Sequence, residues 1–407
     1  MFLPWTSAHN CCWVIMGKVI LILGAGFGGL SAANLLRKRL PPEHKIIVID
    51  KKNYFIMGLV NLWILNGSRS LHNSKISLNR LKDKGIKFLN DEIIKIDVNQ
   101  KTVITRLNHE IDYDYLIIAL GAESAVDRIN QLMENAKGIG FNLYEADEVT
   151  KLRQELLTLR RGRIAVCITD IPYKCPPAPY EASLIINDIL LMNGTRPFID
   201  IDVFSPTPIA LPVAGPKISQ DVVNLLNAHN INFHPLHKLK RVLEEKKMEF
   251  ENGKMINFDK LVFIPPHKIP SVVKASPGLI KEGQNWIGVD KFTLRTNHED
   301  VYGIGDVTEI KVNENITLPK AGIFAEAEAK IVSLQIINEI IKVHEEQTPK
   351  FDGRGFCFME TGHSKAGYID ADFYNEAGPI TRLEPPSEES YGKKVEFEQA
   401  RMNEWLG

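Results

Sequence analysis

Lys18–Gly29 reads KVILILGAGFGG. Its first half, Val19 to Leu23, is an unbroken apolar run, the pattern of a parallel strand buried on both faces. Gly24, Gly26 and Gly29 then stand at G-x-G-x-x-G spacing, with Gly28 inside the motif, and a helical stretch runs from Leu30 to Leu40. The first glycine of such a loop permits a tight turn and the second lets backbone approach a pyrophosphate. The third lets helix and strand pack closely, with the helix N-terminus facing the phosphates. A second apolar strand, Ile46 to Ile49, ends in Asp50, about 20 residues on, where a carboxylate meets a ribose hydroxyl. Lys51 follows it and is counted with the nucleotide-facing residues. Strand before, helix after and acid at that distance predict dinucleotide binding. The alternative is a glycine-rich turn in an ordinary α/β domain, and the motif by itself does not separate FAD from NAD.

The bulk numbers narrow the class. A chain of 407 residues has room for two or three domains with ample core. A net charge of −1 gives no electrostatic case for nucleic acid or for anionic lipid. No apolar run approaches the roughly 20 residues of a membrane span. Five cysteines do not make a disulfide scaffold. The first fifteen residues, with Cys11 and Cys12, lack a basic region and are broken by His9 and Asn10, so they make a poor signal peptide. Met16 directly before Gly17 offers a second starting point. A cytoplasmic protein with reduced cysteines is expected, apart from any pair kept by chemistry.

Downstream of Asp50, Tyr54, Phe55 and Trp63 sit among apolar residues, as either a wall for a ring system or plain core. Ile111–Ala122 runs from acidic and aromatic residues into an apolar strand ending at Gly121. Asn297–Asp306 holds a strand that ends in Gly305-Asp306. In the middle, the strand Arg163–Ile168 is followed by TDIPYKCPPAPYE, and no glycine occurs from Ile164 to Asn193. A pyrophosphate needs free backbone N–H groups. Pro172, Pro176, Pro177 and Pro179 remove four of them. The expected structure here is a rigid elbow bearing Cys175, then a helix from about Ala182 to Met192. A hairpin turning at Asn252-Gly253 is expected within Val242–Phe258, and Ser219–Ala228 reads as helix. Cys167 in mid-strand reads as core. Cys357 lies in an apolar strand between glycine-rich turns. Tyr391–Gly407 reads as a surface-packing helix with Val395, Met402, Trp405 and Leu406 on one stripe and self-cancelling charges, Lys394 among them.

Ile111–Ala122 and Asn297–Asp306 resemble the second and third FAD signatures of the pyridine nucleotide–disulfide oxidoreductase superfamily. With Cys175 in its elbow, Cys357, and Pro319-Lys320-Ala321-Gly322 after Gly305-Asp306, residues 17 to 406 resemble the sulfide:quinone oxidoreductases. They are also similar to the flavoprotein subunit of flavocytochrome c sulfide dehydrogenases. The resemblance implies an α/β fold of two Rossmann-like domains plus a small C-terminal region. Residues 1–16 would be a tail and 17–145 with 266–345 the FAD-binding domain. Residues 146–265 would form a second Rossmann-like domain without a nucleotide loop, and 346–407 a region carrying a redox cysteine.

It implies FAD as cofactor, with Asp306 on the ribityl chain and Gly121 passing close to it. It further implies Cys175 and Cys357 as a redox pair oxidising hydrogen sulfide, and a quinone or cytochrome as acceptor. On this reading the pair is a disulfide or a sulfur bridge, attacked by HS⁻. Lys320 and the helix it opens would stabilise the anionic reduced flavin, and Glu181 is a proton carrier or an exposed helix-start residue. Many quinone-linked members have a third active-site cysteine that Gly121–Asn142 lacks, and they tend to end in apolar helices that this polar tail does not match. Peripheral membrane contact and a homodimer stay open. The rival readings are a type II NADH:quinone dehydrogenase and a non-catalytic FAD-binding redox sensor.

Overall fold

A computed structural model describes residues 17–129, 131–314, 316–342 and 348–407. Cys11, Cys12 and Met16 lie outside the described residues. Val19–Leu23 is the central strand of a five-stranded parallel sheet. Its order is Val301–Gly303, Tyr115–Ile118, Val19–Leu23, Lys45–Asp50, Lys87–Asn90. Side chains on a strand alternate between faces. Accordingly Ile20 and Ile22 enter one core cluster while Leu21 and Leu23 enter another. Helix Phe27–Arg39 covers one face and packs along helix Gly322–Ile341. Gly322 makes this approach feasible, because a Cβ there would stand 2.8 Å from the Phe27 ring.

The second sheet repeats the topology. Its order is Gly140–Asn142, Lys260–Ile264, Gly162–Ile168, Ile199–Phe204, Ile231–His234, again all parallel. Gly162–Ile168 holds the place there that Val19–Leu23 holds in the first sheet, and Cys167 on it is fully buried. The chain crosses between the sheets through Glu123–Ser124 and His267–Lys268, which pair antiparallel. In such folds ligands bind outside the carboxyl ends of the strands, and the elbow after Ile168 emerges from that end.

Three local expectations change. The segment read as one hairpin forms three antiparallel strands, Leu239–Leu243, Lys247–Phe250 and Met255–Asn257. The extra turn is made by Glu245 and Lys246, both at positive φ. Neither is a glycine, so the sequence carried no turn signal there. The helix after the elbow begins at Ala178 rather than Ala182. Prolines fit a first turn because its N–H groups have no partner within the helix. Helix Gly215–Ala228 likewise starts a few residues before the expected Ser219. Phe55 and Trp63 are core.

Arg354–Gly362, Lys365–Asp372 and Ile380–Ser387 form a third, antiparallel sheet. Its first strand packs on helix Ala178–Met192. The closing helix Glu388–Leu406 is capped by the Ser387 hydroxyl, which accepts the Ser390 N–H at 3.1 Å. Its end is anchored deeply. Trp405 and Leu406 are buried, and the Trp405 ring meets Phe27 edge-on at 5.3 Å and Phe55 at 6.0 Å. Lys394, expected among the surface charges, is 2% exposed. Its sequence neighbours Gly392, Lys393, Val395 and Glu396 gave no sign that this turn of helix faces inward. Among the described residues no helix is long and apolar enough to cross a membrane.

Trp405→Ala should lower unfolding stability by about 3–5 kcal/mol, the cost of emptying a buried aromatic site. Denaturant unfolding of the two proteins checks this. Trp405→Phe should recover more than half of the loss.

Candidate active site

The glycine loop is built for close approach. Gly24 adopts φ +99° and donates its N–H to the Ile49 carbonyl at 2.8 Å. A Cβ on Gly29 would fall 1.8 Å from the Gly24 carbonyl oxygen, so this glycine is required by packing. Around Gly26 and Gly121 nothing lies within 4 Å of the Cβ position, leaving backbone open to a ligand. Asp50 accepts the Ala25 N–H at 2.8 Å and the Lys52 N–H at 2.8 Å, which fixes its carboxylate at the mouth of the loop. Lys51 is exposed beside it.

The second half of the cradle comes from residues 305–328. Gly305 donates to Glu328 at 2.6 Å. Lys320 donates to the carbonyls of Asp306 (2.7 Å) and Thr308 (2.9 Å), and its ammonium stands 3.4 Å from the Trp286 ring centroid. Burial lowers the Lys320 pKa to about 8, against the pull of Asp306, Glu309 and Glu328. Burial raises the Asp306 carboxyl, with Lys320 and Lys174 opposing. Burial also raises Glu328 to about 8. Open glycine backbone on one side and a half-buried Asp and Lys with a buried Glu on the other fit a dinucleotide with a polar chain between phosphate and ring. Lys320 stands in this cradle, and its neighbours hold it by carbonyl dipoles rather than by a direct carboxylate bond.

The elbow connects to this cradle. Cys175 sits at φ +53° and donates its N–H to the Lys320 carbonyl at 2.9 Å, while its own carbonyl accepts the Ala178 N–H at 2.9 Å. Cys357 lies on Arg354–Gly362, the strand packed against the helix that the elbow opens. The two cysteines, distant in sequence, are half-buried free thiols close enough to interact electrostatically. Neither is poised as a thiolate. Burial, then Cys357 and Glu181, raise the Cys175 pKa. Burial, then Glu181, push Cys357 up to about 12.

Glu181 is not an exposed helix-start residue. It is 2% exposed, accepts the Glu360 N–H at 2.8 Å and pairs with Lys394 at 3.1 Å. Lys394 also reaches Glu360 at 2.9 Å, and Glu360 accepts the Trp63 indole N–H at 2.9 Å. Burial raises the Glu181 pKa, with Lys394 the main opposing influence. Burial works against the charged form of Lys394 too, yet Glu181 and Glu360 together raise its pKa. Lys394 and Glu360 were missed from sequence because a lone Lys in a charged helix and a Glu in a strand carry no motif. The one available signal was the placement of Glu360 directly after the apolar run Phe356–Met359.

Two measurements test this geometry. Gly26→Ala should fold with near-normal thermal stability yet lose bound FAD, read by visible absorbance, whereas Gly29→Ala should lose both. Glu328 has a folded pKa raised from 4.5 to about 8, so its stabilising contribution is complete below pH 4.5 and is lost as pH rises toward 8. Glu328→Gln should therefore match the parent Tm at pH 4.5 and exceed it by several degrees at pH 8.5.

Residues 18–167 and 198–329 match the family described as pyridine nucleotide-disulphide oxidoreductase. The chain is 28% identical to the mitochondrial sulfide:quinone oxidoreductase of Dictyostelium discoideum, over 85% of this chain and 76% of that protein. It is 26% identical to the mitochondrial sulfide:quinone oxidoreductase of Mus musculus, over 91% and 81%. The crystal structure of sulfide:quinone oxidoreductase from Aquifex aeolicus superposes with a TM-score of 0.82 at 23% identity, covering 96% of this chain and 92% of that one. With the loop, the cradle and both parallel sheets in place, the chain belongs to the pyridine nucleotide-disulphide oxidoreductase family and is an FAD-binding oxidoreductase.

Proposed function

We infer that the protein oxidises hydrogen sulfide through Cys175 and Cys357 and passes the electron pair by way of FAD to a quinone. The observation that carries this reading is the elbow. Where a second nucleotide loop would stand, a proline-rich turn presents a cysteine, and the strand bearing Cys357 packs against the helix that turn begins. The sulfide:quinone oxidoreductases among the relatives support the substrate and the acceptor.

In the oxidised protein the two cysteines form a disulfide. HS⁻ attacks Cys175 Sγ, a sulfur–sulfur bond forms there, and the bond to Cys357 breaks, leaving Cys357 as the thiolate. That thiolate arises where burial and Glu181 oppose it, which favours prompt surrender of its charge. Cys357 Sγ then bonds to the outer sulfur of the Cys175 persulfide, which closes a three-sulfur bridge and releases one proton and two electrons. A second HS⁻ takes the middle sulfur as HSS⁻ and restores the disulfide.

FAD held between the open backbone of Gly26 and Gly121 and the Asp306–Lys320 side of the cradle would supply the two-electron, one-proton acceptor. Glu181, beside both thiols and held by Lys394, is the group placed to carry the released proton. Lys320 and the N-terminus of Gly322–Ile341 favour negative charge at the cradle. Phe356, Phe397 and Tyr368 form an aromatic surface on the face of strand Arg354–Gly362 opposite Cys357, with the Phe356 ring 5.8 Å from Phe397 and 5.6 Å from Tyr368. A flat quinone would lie against such a surface, and a lipid-borne quinone would bring the working protein to a membrane face.

Anaerobic titration of the FAD-loaded protein tests the reading. Sulfide should bleach the flavin, and a soluble quinone should restore the colour faster than cytochrome c does. NADH should leave the flavin oxidised, since the glycine-free elbow offers its pyrophosphate no cradle. Cys175→Ala and Cys357→Ala should each slow sulfide-driven bleaching by at least a hundredfold while keeping FAD. Bleaching at the parent rate in either variant would remove the cysteine pair from the mechanism. Prompt bleaching by NADH would restore the dehydrogenase reading.

A further inference from the structure

Trp286 has no role in the scheme above. It stands just before Ile287, which pairs with the turn that carries Asp306. The Ile287 N–H donates to the Val307 carbonyl at 3.2 Å, and the Ile287 carbonyl accepts the Glu309 N–H at 3.2 Å. Ile287 and Val307 are fully buried in one core cluster, so this bridge holds the indole against residues 305–309. Trp286 itself is 5% exposed.

The Lys320 ammonium lies between the ring and that turn. It stands 3.4 Å from the ring centroid and donates to the carbonyls of Asp306 and Thr308. An ammonium has three N–H groups and no acceptor. The carbonyls take two of them, and the negative face of the indole meets the rest of the charge. Asp306, Glu309 and Glu328 favour the charged form electrostatically, and burial, the larger effect, opposes it. Of the three contacts around the ammonium, two are backbone carbonyls, so the indole is the one that side-chain chemistry decides. Tryptophan attracts a cation more strongly than phenylalanine or tyrosine does, and most strongly where water is excluded. Leucine could fill the same core position without holding the charge.

The charge matters most after the cofactor has taken electrons. Two electrons and one proton leave a flavin one unit more negative than its oxidised form. A cation fixed at the cradle therefore stabilises the reduced form more than the oxidised one.

We propose that Trp286 is a positioning residue that fixes the Lys320 ammonium in the cradle and thereby raises the reduction potential of bound FAD. The inference rests on the reading of Lys320 as the cation that favours negative charge there, and is independent of the sulfide chemistry.

The test measures the midpoint potential of FAD-loaded protein by dithionite reduction against indicator dyes. The variants are Trp286→Leu, Trp286→Phe, Lys320→Met and the double variant Trp286→Leu with Lys320→Met. Trp286→Leu should weaken reduced relative to oxidised FAD about tenfold, which for a two-electron couple lowers the potential by about 30 mV. Trp286→Phe should recover at least half of that shift. Lys320→Met should lower the potential by at least as much as Trp286→Leu. The double variant should match Lys320→Met, because the ring has no charge left to hold. General loosening of the fold would weaken both redox forms alike and leave the potential in place. Where a variant releases FAD on desalting, titration with oxidised and with reduced FAD gives the same ratio. A potential unchanged by Trp286→Leu while Lys320→Met lowers it would overturn the role of Trp286. Shifts that add in the double variant would overturn it too, since Trp286 would then act other than through Lys320. A potential unchanged by Lys320→Met would instead overturn the reading of Lys320 on which the inference rests.

Discussion

The backbone hydrogen bond from Cys175 N–H to the Lys320 carbonyl, at 2.9 Å, is the joint on which the site depends. One partner belongs to the elbow that ends the central strand of the second sheet. The other belongs to the segment that opens helix Gly322–Ile341 in the first. Through this contact a thiol from one lobe is fixed against the nucleotide cradle of the other. The prolines on both sides of Cys175 matter for the same reason. They lower the conformational freedom the chain loses when the elbow docks, and they exclude the free N–H groups that a phosphate would need.

Behind the thiols lies the second constraint, a buried cluster of Glu181, Lys394 and Glu360. It carries two carboxylates against one ammonium, all at most 2% exposed. Ion pairs out of water are weak sources of stability, yet removing one partner costs about 3–5 kcal/mol because the others remain charged. The cluster therefore specifies position more than it stabilises. It ties the elbow helix, the Cys357 strand and the closing helix to one another, so that the two sulfurs approach only when the C-terminal part of the chain has docked. Burial, with the Glu181 carboxylate adding to it, keeps both thiols protonated. The site is thus unlike those of ordinary reactive cysteines, whose surroundings lower the pKa. A thiolate formed here is a poor resting state and a good electron donor.

Much of the fold was legible in the chain. The two Rossmann-like halves follow from apolar runs with period and length suited to buried parallel strands, and Gly24, Gly26 and Gly29 follow from steric demands that only glycine meets. Asp50 stands at a spacing with a local cause, whereas Gly305, Asp306 and Lys320 were singled out by their resemblance to a family motif. Glu181 was legible as a candidate but not its burial, since a helix-start Glu in a proline-rich turn usually faces water. Lys394 and Glu360 were not legible. Each is a single polar residue in a segment of unremarkable composition, and its importance comes from what packs against it.

Sequence alone therefore determined the dinucleotide loop, the absence of a second one and the presence of a rigid cysteine elbow, because these depend on backbone freedom over a few neighbouring residues. Only the tertiary structure decided that Glu181 is buried and that Lys394 turns inward between two glutamates. Those facts depend on which distant segments share a desolvated space, and burial changes the energy of a charge or a polar atom far more than its sequence neighbours do.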